Sequence, residues 1–256
     1  MSRPRFALIL PTLLLATSPA CTEVGSRPWF EHPSSAPFTL MAVDPTAGAL
    51  DVPLDQAIDV YFSDLPDPDS LSRSTFILRS GTTQFTGGFR VDLLERRLRY
   101  LPARTLQPHL EMRVFVGKHL RSLDGRELGA DQEWGFVTGT GTGGEAQPSP
   151  TVTLDEVAPS LQVRCAATCH EGANAYRGLD LSSADAAYAG LVGRASQERP
   201  GMLLVAAGDH ARSYLVRKLL QAPAIVGDAM PPPPEEPLDA ATLRRLADWI
   251  DDGAKR

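Results

Sequence analysis

The stretch "AIDVYFS" at residues 57–63 alternates apolar and polar side chains and is rich in β-branched and aromatic residues. This period of two residues is typical of a half-buried β-strand. Turn-forming pairs such as Ser80-Gly81 and Asp124-Gly125 separate further stretches of this kind. Those stretches are "TFILRS", "FTGGFRVDL", "RLRYLP", "MRVFVG" and "EWGFVTG". Short strands at this spacing predict an all-β sandwich of about 100 residues, which we place at residues 38–138.

The large apolar side chains of these stretches predict the core of the sandwich. The set is Ile58, Val60, Phe62, Phe76, Leu78, Phe89, Leu98, Tyr100, Val114, Val116, Trp134 and Phe136.

Two longer stretches resemble the bacterial Ig-like domain family. They are "VDPTAGALDVPLDQAIDVYFSDLPDPDSL" at residues 43–71 and "LRYLPARTLQPHLEMRVFVGKHLRSLDGRELGADQEWGFVTG" at residues 98–139. The resemblance implies an Ig-like sandwich that acts as a spacer or adhesive module without catalysis. His109 and His119 lie in this part of the chain, and we expect both to be solvated rather than bound to a metal.

The C-terminal part, residues 151–256, has the pattern of an all-α domain. In "TLDEVAPSLQVRCAATC" Thr153 can cap a helix, although Pro159 lies inside the stretch and can break its start. Shorter helices are predicted in "SADAAYAGLVG", with Ser183 as the cap, and in "SYLVRKLLQ". The stretch "LDAATLRRLADWIDDGA" predicts a longer helix capped by Asp239 and ended by Gly253.

Composition and linkers define the remaining organisation of the chain. The 256 residues carry a formal net charge of −6, and no basic run is long enough to predict nucleic-acid binding. Pro- and Ser-rich residues 21–37 and the stretch "GTGTGGEAQPSP" at residues 139–150 predict two linkers. The sequence therefore predicts a multidomain protein, with a sandwich followed by a helical domain.

The N-terminus has the pattern of a secretory signal peptide at residues 1–20. Arg3 and Arg5 precede a short apolar run that ends in small residues. Cys21 follows this run and resembles the lipidated cysteine of bacterial lipoproteins. The resemblance implies a lipid anchor in the periplasm, at the outer membrane or at the cell surface. The alternative is ordinary cleavage after Ala20, which leaves a free thiol.

The stretch "RCAATCHE" at residues 164–171 holds two of the three cysteines and a histidine. Two thiols about one helical turn apart can bond the two vinyl groups on one edge of a haem, and a following histidine can bind its iron. The usual motif has two residues between the cysteines, whereas three lie between Cys165 and Cys169. A disulfide between the two cysteines is one alternative, and a zinc site that also uses His210 is another.

The C-terminal part also resembles the class I cytochrome c family. The resemblance is carried by "RCAATCHEG", "GLDLSS", "SYLVRKL" and "GDAMPPPPEEPLDAATLRRLADWIDDGA". It implies one covalent haem c, with Cys165 and Cys169 as the thioether sites, His170 as the proximal iron ligand and Met230 as the distal ligand. His210 is an alternative distal ligand, and Met230 could instead be a buried loop methionine. Met202 is expected to be a core residue.

The sequence therefore predicts a lipid-anchored c-type cytochrome that carries electrons between donor and acceptor proteins rather than an enzyme. One alternative is a structural or adhesive Ig-like lipoprotein with an accessory helical domain. A second alternative is a haem sensor or enzyme component with an open iron site.

Overall fold

The computed structural model describes residues 36–143, 151–233 and 235–256. The predicted signal peptide, the Cys21 lipidation site, most of the first linker and residues 144–150 of the second lie outside the described residues. Within the described part of the chain, no helix combines the length and the apolar character needed to cross a bilayer.

Residues 38–138 form a sandwich of two antiparallel sheets, as predicted. One sheet has the strand order β1-β2-β6-β5 and the other β4-β3-β7-β8. The strands are β1 (Leu40–Asp44), β2 (Ile58–Phe62), β3 (Phe76–Ser80), β4 (Thr83–Phe85), β5 (Gly87–Asp92), β6 (Arg97–Pro102), β7 (Glu111–Val116) and β8 (Gln132–Val137).

The stretch "FTGGFRVDL", predicted as one strand, is divided between the two sheets. The chain leaves β4 after Phe85 and enters β5 at Gly87. A side chain at Gly87 would clash with the carbonyl of Leu101 and the ring of Tyr100. Glycine therefore allows the close backbone approach at which the chain changes sheets. The edge strand β1 was not predicted, because its side chains are exposed or only half-buried.

The predicted core of the sandwich is confirmed except at one position. Phe89 is only half-buried, although its ring packs edge-on against Phe76 with centroids 5.6 Å apart. The other predicted core side chains are buried. The start of the second linker adds to this domain, since Gly139 N donates to Val52 O at 2.8 Å and Leu54 N donates to Gly141 O at 2.9 Å.

Residues 151–256, which we call the helical region, contain helices and irregular segments. The helices are α1 (Leu154–Leu161), α2 (Ala167–Cys169), α3 (Ala184–Leu191), α4 (Tyr214–Leu219) and α5 (Ala240–Asp251). Pro159 does not break α1, which runs through it into a π-helical turn at Gln162–Ala166. The predicted caps are confirmed at two helices, where Ser183 accepts from Ala186 N and Asp239 accepts from Thr242 N.

The sandwich and the helical region share a polar interface. Arg244 of α5 donates to both carboxylate oxygens of Asp92, at 2.9 and 3.0 Å. The backbone N–H of Leu93 donates to His210 Nε2 at 3.2 Å. Arg212 donates to Asp69 Oδ1 at 3.1 Å. The end of β5 thereby orients the helical region against the sandwich.

The Asp92–Arg244 pair makes this interface sensitive to acid. Burial would raise the pKa of the Asp92 carboxyl, but the hydrogen bonds and charge of Arg244 outweigh this effect and lower it from 3.8. A carboxyl with a lowered pKa stabilises the fold above its unfolded pKa, and this contribution is lost as the pH falls through the folded value.

We expect Asp92→Asn to lower the free energy of unfolding by about 1–3 kcal/mol at pH 7, because asparagine keeps the side-chain oxygen but loses the charge. Urea denaturation at pH 7, 5 and 3 measures this effect, and the difference from wild type should shrink below pH 4. Glu133→Gln is the control, because Glu133 pairs with Arg79 where the two side chains are 41% and 44% exposed. Equal effects of the two variants at pH 7 would contradict the prediction.

Candidate functional site

The cysteine motif lies where the first helix of the helical region widens. His170 N donates to Cys165 O at 3.2 Å and to Ala166 O at 3.1 Å, so the turn carries a bond of the i to i+5 type. A π-helical turn accommodates one more residue than an α-helical turn. The third residue between Cys165 and Cys169 is thereby accommodated within the helix, and both cysteines remain on adjacent turns.

The two cysteines are not bonded to each other. Cys165 is a free thiol, so the Cys165–Cys169 disulfide considered above is not formed. Cys169 is disulfide-bonded, but not to Cys165. Burial outweighs the charge of Arg164 and raises the pKa of the Cys165 thiol to about 11. At neutral pH this thiol is therefore protonated, whereas zinc binds the thiolate.

His170 is held in one tautomer. Its side chain is buried, and Nδ1 lies 3.1 Å from the backbone carbonyl oxygen of Leu179. A carbonyl oxygen only accepts, so Nδ1 carries the proton and the neutral ring keeps its lone pair on Nε2. Burial lowers the pKa of His170 despite hydrogen bonds that act in the opposite direction. The neutral imidazole, which is the form that binds metals, is thereby favoured.

The four residues predicted as a haem site line one cavity. This cavity, which we call the cysteine cavity, has a volume of about 300 Å³ and is bordered by Cys165, Cys169, His170 and Met230. Apolar side chains form much of the remaining wall. They include Val163, Leu179, Leu181, Leu215 and Leu219.

A second cavity of about 190 Å³ adjoins the first. His170 and Met230 border both cavities. The second one, which we call the arginine cavity, is also bordered by Arg177 and Arg194, which do not line the cysteine cavity. Glu198 also borders both cavities, whereas the two cysteines border only the first and these two arginines only the second.

His210 makes its contacts away from the two cavities. Nε2 accepts from Leu93 N, so Nδ1 carries the proton and donates to Asp251 Oδ2 at 2.8 Å. Both ring nitrogens are engaged at the interface with the sandwich. His210 lines neither cavity, so this arrangement is incompatible with a role as a zinc ligand or as a distal ligand.

The other residues considered above do not join the site. His119 is exposed and lies 3.1 Å from Glu127, and His109 is exposed in a loop of the sandwich. Met202 lines neither cavity and is half-buried rather than a core residue. In the described residues no group of three or more His, Cys, Asp or Glu side chains could hold a metal ion.

A polar network that was not predicted from the sequence lies next to Met230. Lys218 Nζ lies 2.6 Å from Glu198 Oε2, and Tyr214 OH lies 3.2 Å from the same oxygen. The signal in the sequence was a lysine in an otherwise apolar part of "SYLVRKLLQ". Its acceptors could not be identified from the sequence, because two of them are backbone carbonyls of an irregular loop.

Several solved structures resemble part of this chain. The L,D-transpeptidase from Mycobacterium smegmatis is 22% identical, with 41% of each chain covered and a TM-score of 0.30. The N-terminal part of the bacterial S-layer protein SbsC is 13% identical over 41% of this chain and 24% of that chain, with a TM-score of 0.33. A methionine-rich copper resistance protein from Escherichia coli is 16% identical over 40% of this chain and 99% of that chain, with a TM-score of 0.34.

This chain spans less than half the length of the transpeptidase and S-layer structures that it resembles. No curated protein matches it. None of these comparisons supports the cytochrome c resemblance of the helical region. The family model of the bacterial Ig-like domain matches residues 34–138, and the sandwich is thereby placed in that family.

Proposed function

We propose that this chain is an extracellular or surface lipoprotein in which a structural Ig-like domain presents a helical region that holds one covalent haem c for electron transfer. The observation that carries the proposal is the convergence of Cys165, Cys169, His170 and Met230 on one cavity. These residues come from two segments about 60 positions apart in the chain. The fold brings these two segments to the same cavity.

The chemistry of the cavities fits a haem. The vinyl edge of the porphyrin would be bonded by Cys165 and Cys169, at the end where both thiols lie. The opposite edge carries carboxylates, which Arg194 would neutralise at the arginine cavity together with Arg177, whose Nε lies 3.6 Å from Glu198 Oε1. Apolar leucines would cover the ring between these ends. Covalent attachment of haem requires the thiol of Cys169. The Cys169 disulfide must therefore be absent from the protein that carries haem.

Two residues of this chain would hold the iron of the haem. The hydrogen bond from His170 Nδ1 to Leu179 O directs the lone pair to Nε2, the nitrogen left for a metal. The loop that carries Met230 supplies a neutral thioether on the same cavity. A bound haem would supply one-electron transfer at its iron. With His170 and Met230 both holding the iron, electron transfer would be favoured over the binding of a substrate at the iron.

A structural or adhesive surface protein is the second candidate. The family match to residues 34–138 favours it, because that match concerns only the sandwich. In this candidate the helical region is an accessory domain, and its cavities hold no pigment. A bacterial Ig-like domain also suggests an extracellular or surface location under either candidate. Redox donor and acceptor proteins are partners only under the first.

Covalent attachment can be tested by intact mass spectrometry. After expression with a cytochrome maturation system, we expect the wild-type chain to carry the mass of one haem and Cys165→Ser/Cys169→Ser to carry none. The matched control is Cys21→Ser, which should retain the haem. Bare wild-type polypeptide with Cys169 in a disulfide would favour the structural candidate.

The role of Met230 can be tested by carbon monoxide binding to the ferrous protein. We expect a wild-type spectrum that does not respond and a Met230→Ala spectrum that shifts, because alanine leaves a coordination position open. Met202→Ala is the control, since Met202 lines neither cavity. A response from the wild type would indicate the open iron site of a sensor or enzyme component.

Lipidation can be tested by membrane fractionation. We expect the full-length chain to sediment with membranes and Cys21→Ser to be released, because the acylated thiol would supply the anchor. A Cys21→Ser protein that remains with the membrane fraction would show that attachment does not depend on this thiol.

A further inference from the structure

Lys218 of α4 is a buried lysine whose ammonium group is fully used. The side chain is 6% exposed. Its Nζ donates to Val226 O at 2.6 Å and to Asp228 O at 2.7 Å, and it pairs with Glu198 Oε2 at 2.6 Å. An ammonium group has three donors, and here each has an acceptor. Burial of a lysine is costly unless it is paired in this way.

Two of the acceptors belong to the loop that leads to Met230. The same residue holds the end of this segment, because Met230 N donates to the backbone carbonyl of Lys218 at 3.2 Å. Residues 226, 228 and 230 are therefore all attached to one position of α4. The segment forms no helix or strand of its own, so these contacts help to hold it against the cavities.

Tyr214, one turn earlier on α4, adds a second attachment. Its hydroxyl accepts from Val226 N at 3.0 Å and lies 3.2 Å from Glu198 Oε2. Lys218 and Tyr214 of α4 thereby hold the loop, and Glu198 contacts both of these side chains.

We infer that Lys218, with Glu198, is the positioning residue that holds the Met230 thioether at the distal side of the site. The inference rests on the proposed haem function and adds the residue that fixes its sixth ligand. Loss of the ammonium group would remove the Lys218 hydrogen bonds to the carbonyls of Val226 and Asp228, while Val226 O would keep the bond from Tyr214 OH at 3.3 Å. The loop would then move toward water, and Met230 would leave the cavity while His170 and the cysteines stayed in place.

The test uses the haem-loaded full chain and Lys218→Met, which removes the charge at similar length. We expect the ferrous Lys218→Met protein to give the carbon monoxide shift predicted for Met230→Ala, whereas the ferrous wild type does not respond. The methionine-to-iron charge-transfer absorbance of the ferric protein should weaken in parallel. Lys218→Arg, which retains the charge, should respond less to carbon monoxide than Lys218→Met and should keep more of the charge-transfer absorbance.

Lys118→Met is the matched control, because Lys118 is exposed on the sandwich. We expect it to behave as wild type in both measurements. A haem-loaded Lys218→Met protein with the wild-type absorbance and no carbon monoxide response would overturn the inference while the haem proposal stands. Wild-type protein without haem would overturn both. If Lys218→Met does not fold, Glu198→Gln decides, since it weakens the same set of contacts and should shift both signals in the same direction.

Discussion

The candidate site depends on the hydrogen bond between His170 Nδ1 and the backbone carbonyl of Leu179. Because the carbonyl can only accept, this bond determines which ring nitrogen keeps a lone pair. Burial reinforces it by lowering the pKa of the ring, so the neutral form persists. A second hydrogen bond joins the same two segments, because Leu181 N donates to His170 O at 2.8 Å. The histidine is thereby fixed in both orientation and protonation before any partner is considered.

The π-helical turn before His170 explains how an unusual cysteine spacing fits a helix. An additional residue in an α-helix would rotate every later side chain by about 100°. The π-helical segment Gln162–Ala166 ends between the two cysteines, and the hydrogen bond from His170 N to Cys165 O spans the three intervening residues. Pro159 precedes it and lacks the N–H that an α-helical ladder needs. The irregularity therefore lies in the segment that presents the cysteines, as is frequent for π turns at functional sites.

Most of the sandwich was predictable, because alternation and turn residues are local signals. The strand Arg97–Pro102 was predicted with its observed bounds, whereas β1 was missed because little of it is buried. In the helical region the helices and two caps were predictable for the same reason. The π turn, the tautomer of His170 and the contacts of Lys218 were not, because each depends on backbone carbonyls that only the folded chain brings near. The interface role of His210 was missed for a further reason: its partner Leu93 is 117 positions away.

The most direct measurement of the central claim is an absorbance spectrum of the mature wild-type protein in its oxidised and reduced states, repeated in denaturant. We expect a haem spectrum that sharpens on reduction and stays with the polypeptide after unfolding, because thioether bonds survive denaturation. A colourless protein, or a pigment that separates from the chain in denaturant, would contradict it.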